Sequence, residues 1–158
     1  MKSATVKEIK TELNECSHQD LIELCLRLSR FKKENKELLT YLLFESGNED
    51  QYIENVKNEV DEQFTIINIT SYYFIKKSVR KILRTIKKYI RYSKNKETEI
   101  ELLLYFCKKL KDFEPSITSN SVLMNIHNRE IASIKKKITL LHEDLQYDYK
   151  LELQNLYF

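Results

Sequence analysis

The stretch Tyr72-Tyr73-Phe74-Ile75-Lys76-Lys77-Ser78-Val79-Arg80-Lys81-Ile82-Leu83-Arg84-Thr85-Ile86-Lys87-Lys88-Tyr89-Ile90-Arg91-Tyr92-Ser93-Lys94-Asn95-Lys96 decides the fold. At about 100° per residue, its basic residues from Lys76 to Lys94 fall in an arc of roughly 140°. No acid interrupts them. Ile75, Val79, Ile82, Leu83, Ile86, Tyr89 and Ile90 fill a separate arc of roughly 120°. The stretch reads as one strongly amphipathic helix, with an apolar face for a core and a cationic face opposite.

Upstream lies the one β-like segment, Phe64 to Ile75. It reads as a helix end, a tight turn at 68–71 and a helix start capped by Thr70 or Ser71. A short strand is the alternative, but a lone strand cannot satisfy its backbone. Before it, 49–67 reads as a helix with Tyr52, Ile53, Val56, Val60, Phe64 and Ile67 inward. It is acidic, carrying Glu49, Asp50, Glu54, Glu59, Asp61 and Glu62 against Lys57 alone. Gly47 is the natural left-handed residue after a preceding helix over 38–44. Ser17 begins another helix with Asp20 three residues on, close to a capping box. Leu21, Leu24, Cys25 and Leu28 follow at amphipathic spacing. The polar interval 30–36 ends or bends that helix. A short first helix over 3–15 places Val6, Ile9 and Leu13 on one side.

Downstream, 97–113 opens with Glu97, Glu99 and Glu101 at the favourable end of a helix dipole. It turns Ile100, Leu103, Leu104, Cys107 and Leu110 inward, and Pro115 stops it. The last helix is expected to run over 120–153 and to extend from the body. Along it Met124, His127, Ile131, Ile134, Ile138, Leu141 and Leu145 recur at steps of three and four, a coiled-coil seam. Ile131, Ile134, Ile138, Leu141 and Leu145 are the candidates for self-association; packing within the chain is the alternative. The closing Asn155-Leu156-Tyr157-Phe158 coincides with the core of a common protease-cleavage tag, and no function is placed on it.

Composition agrees with the periodicity. A chain of 158 residues with one glycine and one proline lacks the turn residues that hairpins need. The expected class is all-α: an up-and-down bundle or irregular superhelix of about six or seven helices, in a single domain over 1–158. Unequal helix lengths argue against a regular helical repeat.

The same scarcity of glycine removes the phosphate-binding loop, the dinucleotide fingerprint and the nucleophile elbow. No catalytic residue is assigned, and a helical enzyme without a recognisable motif is the remotest reading. His18, His127, His142 and three scattered cysteines show no ligand spacing, so neither metal nor cofactor is expected. Cys25 and Cys107 sit in apolar runs and are expected as free core thiols in a reducing compartment. The N-terminus has no signal-type apolar segment, and no apolar run approaches the roughly 20 residues of a membrane helix. The expectation is a cytoplasmic protein without membrane insertion.

Charge is the remaining signal. The formal net charge is +3, yet 76–96 alone carries +10, so the rest of the chain carries −7. Two functions follow. One is a non-catalytic interaction or scaffold protein with a protein partner or a second copy. The other is contact with DNA or RNA backbone through the basic helix 76–94, by Lys77, Arg80, Lys81, Arg84, Lys87, Lys88 and Arg91. Tyr72, Tyr73, Tyr89 and Tyr92 are candidates for base stacking, with Tyr92 best placed and Tyr89 more core-like. Against this stands neutralisation of the basic face by the acidic helix 49–67, mainly through Glu54, Asp61 and Glu62.

Overall fold

The computed structural model describes residues 1–158. The chain is all-α: 79% of residues are helical and there is no strand. Eight α-helices follow in order: α1 Val6–Glu15, α2 His18–Phe31, α3 Lys33–Thr40, α4 Glu49–Thr65, α5 Tyr72–Ser93, α6 Lys96–Lys111, α7 Ser121–Ile138 and α8 Glu143–Gln154. That is more than the six or seven expected. A π-helical turn spans Tyr41–Glu45 and a 3-10 turn spans Ile117–Ser119. The sequence reading treats 1–158 as one domain; the chain packs as two compact units, Met1–Phe44 and Glu45–Phe158.

In the first unit, side chains close the helix starts. Thr5 with Glu8, and Ser17 with Asp20, form reciprocal capping boxes that satisfy backbone donors left open in each first turn. The polar interval ends α2 at Phe31. Lys32 is extended, and the Asn35 amide donates to the Leu28 carbonyl at 2.8 Å. α2 packs against α3. Even so, α1, α2 and α3 bury no side chain. Tyr41 is buried, whereas Leu24, Leu28, Phe31, Leu43 and Phe44 are exposed. Cys25, expected in a core, is exposed as well. The apolar stripe of α2 is therefore present but covered only in part, with Leu21 half-buried and Leu24, Cys25 and Leu28 exposed.

The second unit is organised around α6. Its Ile100, Leu102, Leu103, Leu104, Phe106, Cys107 and Leu110 are all buried. An apolar surface that nearly encircles a helix requires neighbours on several sides, and α4, α5 and α7 supply them. Phe106 lies with its ring centroid 6.2 Å from that of Phe64. The Phe64–Ile75 segment contains no strand. α4 ends at Thr65, the Asn68 side chain accepts from the Thr70 N–H at 2.9 Å, and α5 starts after Ser71. Gly47 does not take the left-handed conformation expected of it. The positive φ of the chain belongs to Lys94, at 57°, where α5 stops and its N–H donates to the Ile90 carbonyl.

The helix expected over 120–153 is two helices. α7 ends at Ile138, and His142 is the extended cap from which α8 departs. Ile131, Ile134 and Ile138 of the proposed seam are buried in the unit's own core, and Leu141 and Leu145 are half-buried on either side of the break. α6 packs on α7, so the seam is consumed by packing inside the unit. The closing residues join the same core: Leu156 is buried, and Lys111 donates to the carbonyls of Asn155 and Tyr157.

Polar side chains fix one end of this unit. The Glu49 carboxylate accepts from the Ser93 hydroxyl and from the Thr98 hydroxyl, the latter at 2.6 Å. The Tyr52 hydroxyl donates to the Tyr89 carbonyl at 3.0 Å. The start of α4, the end of α5 and the start of α6 thus meet on one carboxylate.

Candidate polyanion-binding groove

α5 divides as its periodicity predicts. Ile75, Val79, Ile82, Leu83, Ile86 and Ile90 are buried, while Lys77, Arg80, Lys81, Arg84, Lys87 and Arg91 are exposed. Lys88 is half-buried, with its ammonium 4.9 Å from the centre of the Tyr89 ring. The aromatic assignments change. Tyr92 is only 9% exposed and is a core residue, so it offers no face to a base. The Tyr89 hydroxyl donates to Glu59 at 2.7 Å, and the Tyr72 hydroxyl donates to the Ser116 carbonyl at 3.0 Å. Of the four tyrosines, Tyr73 alone is open, at 65% exposure.

Two of the α4 acids expected to neutralise this arc, Glu54 and Asp61, turn elsewhere, although α4 and α5 are packed neighbours. Glu54 pairs with Lys57 on its own helix at 2.8 Å. Asp61 turns to α6, accepting from the Tyr105 hydroxyl at 2.6 Å and pairing with Lys109 at 3.0 Å. These contacts hold the Asp61 carboxyl below its ordinary range, against the opposing effect of burial. Tyr105 is shifted strongly the other way, by burial first and by the Asp61 carboxylate second. Asp61 thus serves α6, while Glu59 and Glu49 accept from Tyr89 and Ser93 of α5.

α7 borders one side of the cationic face, and Lys87 reaches Glu130 on it. Between the two helices lies an open groove of about 730 Å³, lined by Tyr73, Lys76, Lys77, Arg80, Leu83, Arg84, Lys87, Ile126 and Arg129. Leu83 and Ile126 form a buried apolar floor. Lys76, Lys77, Arg80 and Arg84 make no ion pair, and Lys87 binds Glu130 at 2.8 Å. Glu130 is 1% exposed and also lies 3.6 Å from the Arg129 guanidinium. Six cations thus converge on a concavity beside a single acid, which is already engaged. Such a field concentrates anions. Lys81, Lys88 and Arg91, proposed from sequence with the others, lie outside the groove lining.

Residues 73, 76, 80, 84 and 87 follow helical spacing, so their common face is readable from α5 alone. Arg129 and Ile126 are not readable in this way, because nothing local in α7 announces that it faces α5. A smaller concavity of about 400 Å³ between α6 and α8 mixes Lys108 and Lys111 with Asp112 and Glu152, and has no net preference for an anion. No group of three or more histidine, cysteine or acidic side chains is placed to hold a metal ion. No helix is long and apolar enough to cross a membrane.

Two buried titratable groups lie nearby. Burial, then the charge of Glu130, push the Cys107 thiol up to about 12, while Lys87 opposes them. His127 is buried, and its ring meets that of Phe158 edge-on at 5.0 Å. Burial lowers its proton affinity, the Asn128 side chain opposes that shift, and the charge of Lys111 adds to it. Neither group opens onto the groove lining. No known protein family matches the chain, and neither a curated protein nor a solved structure is significantly similar to it.

Proposed function

We propose that the second unit is a non-catalytic polyanion-binding module, and that nucleic-acid backbone is bound in the groove between α5 and α7. One observation carries this reading: Lys76, Lys77, Arg80 and Arg84 face a common concavity without an acid partner. Like charges at i, i+4 repel by a few tenths of a kcal/mol in a lone helix. A bound phosphate chain would offset that repulsion and release condensed counterions. The test is binding of labelled DNA and RNA across a salt series. Log affinity should fall linearly with log salt, with a slope of about −3 for four phosphates contacted on a single strand and nearer about −4 on duplex DNA. Replacing Arg80, Arg84 and Arg129 with alanine should flatten that slope and remove most of the binding. No binding to either nucleic acid even near 50 mM salt would remove the reading.

A second reading, protein association, is favoured by the first unit. Its exposed Leu24, Leu28, Phe31, Leu43 and Phe44 are the kind of apolar surface that marks an interface. The seam residues proposed for this role are internal, so the surface would lie in α2 and the turn after α3. Sedimentation of the wild type beside the double variant Leu28→Ser and Phe31→Ser decides. A wild type that stays monomeric at every concentration and binds no protein would leave those side chains merely exposed.

A further inference from the structure

The groove also has features that distinguish among nucleic acids. We propose that it takes a single strand, running along α5 with an unpaired base stacked on Tyr73. This rests on the polyanion reading above. Helical elements that read duplex DNA protrude into a groove of the DNA. Here the cations line a hollow between two helices, a shape that suits a flexible strand better than the rigid cylinder of a duplex. The floor itself is apolar, formed by Leu83 and Ile126. Phosphates have no use for that surface, whereas sugars and bases do.

Tyr73 supplies the aromatic element that binding of single strands uses. It is 65% exposed, lies at one end of the cationic stripe, and is braced edge-on by Phe74 with ring centroids 5.3 Å apart. It lines the same concavity as Lys76 and Lys77, so one nucleotide can stack while its neighbouring phosphates meet cations. From Tyr73 to Lys87 the helix rises about 21 Å, at 1.5 Å per residue. That length suits roughly four nucleotides, the low end of the site sizes seen in grooves that bind single strands. Stacking of this kind tolerates any base, so the expected selectivity is for strandedness and not for sequence.

The test uses the full chain, a labelled oligothymidine of about a dozen nucleotides, a duplex of the same length, and inorganic polyphosphate as an anion without bases. The oligothymidine should bind more tightly than the duplex. Tyr73→Ala should weaken oligothymidine binding about ten-fold, Tyr73→Phe should retain it, and neither should alter polyphosphate binding. Tyr73 is exposed, so both variants should fold as the wild type does. If the duplex binds as well as the single strand, or Tyr73→Ala has no effect, the single-strand proposal is overturned while salt-dependent polyanion binding stands. If no polyanion binds, both fall together.

Discussion

Lys87→Met should destabilise the second unit, and Glu130→Met should remove that cost. Glu130 is 1% exposed and accepts from Lys87 at 2.8 Å, while the Arg129 guanidinium lies at 3.6 Å. Stripping the partner from a buried charge commonly costs about 3–5 kcal/mol. Here the loss is smaller. Coulomb attraction falls as 1/r, so Arg129 retains about three-quarters of the attraction that Lys87 provides at its shorter distance. Lys87 is also half-exposed, so water already screens part of its charge. The expected cost of Lys87→Met is therefore about 2 kcal/mol. Glu130→Met removes the buried charge instead of its partner and frees Lys87 to turn to water. It should lie within about 1 kcal/mol of wild type. The double variant should match Glu130→Met alone, giving a coupling of about 2 kcal/mol in a double-mutant cycle. Urea and thermal unfolding of the four proteins measure it. A cost below about 0.5 kcal/mol for Lys87→Met, or a double variant as unstable as Lys87→Met alone, would show that Glu130 does not depend on Lys87.

Two further outcomes follow from the buried titratable groups. Cys107, with its thiol pushed up to about 12, should resist alkylation at pH 8 in the folded protein, while exposed Cys25 reacts; mass spectrometry of the labelled peptides reads both. His127 binds its proton less readily folded than unfolded, so stability should be full above about pH 6.5 and fall as pH drops below it. His127→Met should lose that part of the acid sensitivity, measured as urea midpoints from pH 7 to 5. An unchanged pH dependence would show that His127 is not its source.

The second unit was more legible in the sequence than the first. α5 and α6 declare themselves through periodicity, because each has an apolar arc that the core must receive. The capping box at Ser17 is likewise local, since the atoms involved lie three residues apart; the box at Thr5 has the same spacing with Glu8 but is no part of the sequence reading. The break between α7 and α8 is not legible, because 139–142 contains neither glycine nor proline and continues the three-four spacing of the seam. Its one local signal was His142 followed by Glu143 and Asp144, a cap with acids in the first turn. Tyr92 was misplaced because its angle on the helix wheel lies at the edge of the basic arc, and only the packing around it decides which side it joins. The groove was half legible: α5 shows its cations, but Arg129 and Ile126 become part of the site only when α7 lies alongside.

The Glu49 carboxylate, which gathers Ser93 and Thr98, has a consequence for binding. A helix held only by apolar packing can slip or roll, and a slip of one residue would swing every side chain by about 100°. Hydroxyl contacts at the end of α5 lock its rotational phase. Lys76, Lys77, Arg80 and Arg84 are therefore aimed before any ligand arrives. If the groove binds a polyanion as proposed, association would have only their side-chain freedom to restrict, and not the orientation of the helix.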